Sequence, residues 1–194
     1  NVVAHHLKMR VGKEMGDIVF PPGEVVVEAD HVIPLHQPGG VRLLLFQGLH
    51  AAPHEAAVSP DGRRVLVTNY NRQGVGPQKT LSLIALPSGD TIKTIDLGEY
   101  RAPHDVRWVD DSRVVVTVEA SQALLLVNVE TGAIERVFKT DAGVSHMLAL
   151  STDRSRLYCS NMRDGSVSAF DFKTGQKIKD IPTGKECEGV GVTP

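Results

Sequence analysis

Four short apolar stretches, separated by turns of similar composition, recur three times between residue 50 and the end of the chain. In the first copy Ala56-Ala57-Val58 is a brief run of small residues. It is followed by Ser59-Pro60-Asp61-Gly62, a tight turn in which Pro presets φ and Gly accepts φ > 0. Arg64 to Tyr70 and Thr80 to Ala85 come next, joined by a polar loop from Asn71 to Lys79. Pro87-Ser88-Gly89-Asp90 then turns into Thr91 to Ile95, where Lys93 suits an exposed strand edge. Apolar and β-branched runs bounded by Gly, Pro and Asp read as strands. The second copy runs Val106–Val109, Arg113–Glu119, Leu124–Val129 and Ile134–Phe138. The third runs Leu148–Leu150, Arg156–Asn161, Val167–Phe172 and Lys177–Ile181.

The openings of the copies set the period. Pro53-His54-Glu55, Pro103-His104-Asp105, His146-Met147-Leu148 and Glu188-Gly189-Val190 follow one another at offsets of 50, 42 and 42 residues. A period near 40 with four strands per repeat predicts an all-β chain, a β-propeller of four-stranded antiparallel blades with no helix longer than a turn or two. The expected blades are residues 50–101, 102–143 and 144–187, with the next one starting at 188–194. Residues 1–49 do not align to these copies. Within them Glu24–Glu28 and Val41–Phe46, separated by Pro38-Gly39-Gly40, read as strands and fit the outer strands of a preceding blade.

Val67-Thr68-Asn69-Tyr70, Cys159-Ser160-Asn161, Ser166 to Asp171, Ile181-Pro182-Thr183-Gly184 and Glu188-Gly189-Val190 resemble the YVTN family of propeller repeats. The wider set is the YncE-like, lactonase-like and haem d1-like propellers. The resemblance covers residues 50–194 and is specific to fold more than to function. It implies a ring of about seven blades. The three copies fall well short of that, so further blades, from missing sequence or another chain, are expected to close the ring. The alternative is a small closed ring in which residues 1–49 and Glu188–Thr193 build a composite fourth blade. The resemblance also implies a periplasmic or secreted location, and offers lactonase-like hydrolysis or redox chemistry as enzymatic alternatives to plain ligand binding.

Composition excludes more than it suggests. Of 194 residues, 41% are hydrophobic and only 5% aromatic, so the core is one of Val, Leu, Ile and Ala. A net charge of −2 gives no pull toward nucleic acid, and no apolar run is long enough to span a membrane. Cys159 and Cys187 are too few for a disulfide framework and match no zinc spacing.

In a propeller the starts of the innermost strands and the ends of the second strands meet around one mouth of the central channel. The residues sent there are His54, His104, His146 and Glu188 at one equivalent position, with Glu55 and Asp105 beside them. Asn69, Tyr70, Glu119 and Asn161 come from the second strands, and Arg72 and Arg163 from the loops that follow. Such a funnel of convergent polar groups predicts a small-molecule or protein site, with Asn69 and Asn161 on its rim. No residue is assigned a catalytic role: no Gly-x-Ser-x-Gly elbow occurs, and Ser145 beside His146 points to the opposite strand face. His54, His104, His146 and Glu188 have metal-ligand chemistry. However, sheets spaced about 10 Å apart would hold them too far from a shared ion in a seven-membered ring. No cofactor is therefore expected, a metal ion or haem being the alternative.

Overall fold

The computed structural model describes residues 27–28, 44–45, 53–72, 76–86 and 88–193. Strands β1 (Val27–Glu28) and β2 (Leu44–Leu45) pair in parallel; the remainder of the N-terminal readings lies outside the described residues. The first blade is β3 (Pro53–Val58), β4 (Arg64–Arg72), β5 (Gly76–Ala85) and β6 (Thr91–Asp96). The second is β7 (Pro103–Trp108), β8 (Arg113–Val118), β9 (Ala123–Asn128) and β10 (Ile134–Lys139). The third is β11 (Ser145–Leu150), β12 (Arg156–Asn161), β13 (Ser166–Asp171) and β14 (Lys177–Pro182). Each is a four-stranded antiparallel meander in chain order, and the three first strands pack side by side. This is a propeller-like arrangement of three blades. A single turn of 3-10 helix, Glu119–Ser121, is the one helical piece among the described residues.

Two details differ from expectation. Part of the Asn71–Lys79 loop is strand: Asn71 pairs with Pro77 and Arg72 with Gly76, so β4 and β5 extend outward as a hairpin. Glu119 lies just past β8, in the 3-10 turn rather than in the strand.

Strand alternation sorts the side chains of the middle blade onto two interfaces. Val114, Val116 and Val118 of β8 and Leu125 and Val127 of β9 face the first blade, against Leu66, Leu81, Leu83 and Ile95. Val115 and the alternate Leu124 and Leu126 face the third blade, against Leu157, Cys159 and Phe170. With both faces covered, β8 and β9 read as almost unbroken apolar runs, although they are antiparallel strands.

The tight turns repeat as well. Gly89, Gly132 and Gly175 close the third-to-fourth strand turns at φ of 81°, 81° and 80°, values that cost a residue with a Cβ. In the first-to-second strand turn of the middle blade, Asp110 accepts bonds from Ser112 and Arg113. Partial burial opposes its charge, but these bonds prevail and hold the carboxyl at about 2. A depressed carboxylate stabilises the fold above its unfolded value and stops doing so as pH falls through its folded one. Asp110→Asn should therefore be less stable than wild type at neutral pH, and the gap should close between about pH 4 and pH 2. Melting curves across that range check this; a gap that stays constant with pH rules out the linkage.

Blade joins blade through one repeated hydroxyl. Thr68 Oγ1 accepts the Glu55 N–H and donates to the His104 carbonyl at 2.8 Å. Thr117 Oγ1 does the same between the Asp105 N–H and the His146 carbonyl, again at 2.8 Å. Ser160 Oγ accepts the Met147 N–H and donates to the Glu188 carbonyl at 3.0 Å. The third instance puts Glu188 in register with His104 and His146. A left-handed residue sits two positions before each: Ala102 (φ 57°), Val144 (φ 60°) and Glu186 (φ 61°). For β-branched Val144 this conformation is an outlier.

Candidate functional site

The first strand of every blade carries a bulge at the same place. In β3, His54 and Glu55 oppose the single residue Thr68. In β7, His104 and Asp105 oppose Thr117, and in β11, His146 and Met147 oppose Ser160. A bulge interrupts the two-residue alternation and re-aims a side chain. The shared facing of the histidines therefore comes with a bulge that recurs at the same place in each first strand.

The three imidazoles form a continuous column. Ring centroids are 4.1 Å apart for His54 and His104 and 4.2 Å apart for His104 and His146, each pair tilted by less than 50°. This is far closer than the sheet spacing of about 10 Å suggested, because the inner strands converge where the bulges sit. The Tyr70 ring packs edge-on against His54 and His104, at 4.9 and 5.3 Å.

Glu119, in the 3-10 turn after β8 of the middle blade, binds the column together. Its Oε1 accepts from His146 Nδ1 at 2.6 Å and lies 3.9 Å from His104 Nε2, while Oε2 accepts the Tyr70 hydroxyl at 2.5 Å. Burial works against the Glu119 charge, but the bonds from His146 and Tyr70 outweigh it and hold the carboxyl below its usual range. The Glu119 bond raises the His146 pKa against the effect of burial. Burial pushes Tyr70 up to about 12, with the Glu119 bond adding to it. His104 is 5% exposed, and burial pulls it down to about 4 despite the nearby carboxylate. His54, the exposed member, is also lowered by partial burial. At neutral pH the cluster thus holds an ionised carboxylate, a protonated phenol and a neutral His104.

A cleft of about 280 Å³ opens beside this cluster, lined by Tyr70, Ala102, Glu119, Gln122, Val144 and Arg163. Two of the left-handed residues, Ala102 and Val144, shape its wall. The Arg163 side chain is exposed and its stem lies against Gly143, where an added Cβ would come within 2.7 Å of Arg163 Cδ. Glu188 is exposed, and its carboxylate is close enough to favour the charged form of His146.

Other predicted site residues are drawn into structural work. Asp105 is fully buried: Oδ2 accepts the Leu148 N–H of the third blade, and Oδ1 accepts from Arg107. Burial nevertheless raises its carboxyl. Glu55 is half-buried and likewise raised by burial. Asn69 and Asn161 do not stand on the rim. Both are buried within their blades, where Asn69 donates to Thr80 and Ser82, and Asn161 to Ser166 and Ser168. Short hydroxyl side chains on the adjacent strand reach an Asn amide better than solvent does. Arg72 ends β4, and its side chain lies outside the described residues. Thr68, Thr117 and Ser160, which set the histidine backbone in place, were not singled out from sequence. Their signal was a hydroxyl residue recurring one position before Asn69, Val118 and Asn161.

No family model and no curated protein matches the chain. Solved structures do match it. One is the Kuenenia stuttgartiensis hydrazine synthase, at 20% identity and a TM-score of 0.56 over 73% of this chain. The fold is propeller-like. The likeness covers 38% of the hydrazine synthase chain, so this chain corresponds to well under half of that protein. At that identity the likeness speaks for the fold alone, and the YVTN resemblance continues to rest on the repeat residues.

Proposed function

We propose that the converging ends of β3, β7 and β11 form the mouth of a propeller channel that binds a small polar ligand without transforming it. The observation that carries this reading is the column of His54, His104 and His146 with Glu119 and Tyr70, set beside a cleft. Four strands and the 3-10 turn supply polar groups to one place, and the positive-φ backbone at Ala102 and Val144 is spent shaping the same wall. Convergent polar groups in a concavity are what a binding site requires, and non-glycine left-handed residues concentrate at such sites.

Binding of polar fragments followed through the imidazole resonances of the three histidines tests the reading. Fragments that bind should shift the His54 and His146 signals together. Arg163→Ala, which removes one exposed donor at the cleft, should weaken them by about 3–10-fold, the worth of one ordinary hydrogen bond. Fragments that bind only where these resonances do not respond would remove the mouth site.

A hydrolytic reading has one specific observation in its favour. The bond between His146 Nδ1 and Glu119 holds the imidazole in one orientation, as a general base requires. Lactone turnover abolished by His146→Ala supports that reading. Absence of turnover across a lactone panel in protein that still binds fragments discards it.

A further inference from the structure

We infer that His104, Glu119 and His146 are the protein ligands of a first-row divalent transition-metal ion at the channel mouth. One nitrogen from each histidine and one Glu119 oxygen lie within 4.8 Å of one another. A zinc-like ion with bonds of about 2.0–2.2 Å holds tetrahedral donors roughly 3.3–3.5 Å apart. The 2.6 Å contact between His146 Nδ1 and Glu119 Oε1 has to open slightly, and the 3.9 Å gap from His104 Nε2 to the same oxygen has to close slightly. Side-chain rotation covers both changes. Coordination by His146 Nδ1 requires loss of the proton it donates to Glu119, which passes to solvent as the ion enters.

The second observation is His104 itself. It is 5% exposed, its Nδ1 is buried with no hydrogen-bond partner, and its Nε2 makes no hydrogen bond among the described residues. A buried imidazole nitrogen with no bond among the described residues is a cost that native structures rarely carry without an ion, water or ligand to explain it. Tyr70, Glu119 and His146 already have partners; among the described residues His104 is the buried member of the cluster left without one, and Nε2 turns toward the shared carboxylate. Two imidazoles and one carboxylate form the three-ligand set of open transition-metal sites. Glu119 also lines the cleft with Tyr70 and Arg163, so an ion held by this set would lie beside that cleft. His54 and Glu188, which share the metal-ligand chemistry read from the sequence, are not in this group.

This inference deepens the mouth-site reading and rests on it. The test is titration of chelator-treated full chain with Co²⁺, read by its visible absorption, followed by metal analysis after dialysis against Zn²⁺. A variant with His5→Ala and His6→Ala serves as background, because that adjacent pair is an independent metal attractor. One ion per chain is expected. His104→Ala, His146→Ala and Glu119→Gln should each weaken it by more than the roughly 10–100-fold that loss of an outer-shell partner costs. His54→Ala, which removes no ligand, should change it less. Retained strand circular dichroism and a cooperative melt show that each variant is folded. If folded wild type takes up no Co²⁺, or if uptake survives both histidine substitutions, the metal site is overturned. Fragment binding at the histidines in that same metal-free protein would leave the ligand site standing, so the two failures are distinguishable.

Discussion

Phe138→Ala should lower the unfolding free energy by about 3–5 kcal/mol. Phe138 of β10 is fully buried between the second and third blades. Its ring meets Phe170 edge-on at 5.7 Å and stacks on Phe172 at 5.8 Å, with planes 10° apart. Three of the five phenylalanines in a chain poor in aromatics are thus concentrated at one interface. Truncation removes transfer free energy and leaves a cavity whose walls belong to two separately hydrogen-bonded sheets. Those sheets can close on it only by tilting one blade against the other, which would disturb the hydroxyl bridges at the inner strands. Phe138→Leu retains more of the volume and should cost less. Urea titrations read the effect as a lower midpoint at unchanged slope. A loss below about 1 kcal/mol would mean that the interface collapses freely and that the blades are not packed as described.

Thr117→Val should cost about 2–4 kcal/mol although it conserves shape. The hydroxyl is fully buried and serves two backbone groups at once, the Asp105 N–H and the His146 carbonyl. Valine fills the same space and leaves both unpaired in a place water does not reach; each such group costs about 1–3 kcal/mol. Thr117→Ser keeps the hydroxyl and should recover most of the loss. Faster amide exchange at Asp105 in the valine variant would locate the damage. The same substitution releases the backbone of His146 and should loosen the bond to Glu119, so ligand or metal binding should weaken alongside stability. Equal stability of Thr117→Val and Thr117→Ser would show that the bridge contributes nothing.

The blades were legible because their causes are local and repeat. The 42-residue offset, the Gly89, Gly132 and Gly175 turns and the apolar second and third strands each answer to a backbone environment that recurs from copy to copy. The β4–β5 extension was not legible, since Asn71 to Lys79 is polar enough to read as loop while its backbone pairs across the hairpin. At the site, the equivalence of His54, His104, His146 and Glu188 followed from register alone. The bulge at which the histidines sit was not legible, because two-residue alternation does not reveal where a strand ladder slips.

What the chain's own pattern established is therefore an all-β repeat, its strands and turns, and the set of polar residues that share one end of the inner strands. Hydrophobic period, turn chemistry and register act within a blade, so they can be read along the chain. The partition of that polar set came only from packing. Asn69, Asn161 and Asp105 are used up inside or between sheets, whereas His104, His146, Tyr70 and Glu119 meet in one cluster. That division depends on how closely three bulged strands converge and how each sheet is turned against the next. Both are contacts between residues tens of positions apart, and no intrablade periodicity encodes them.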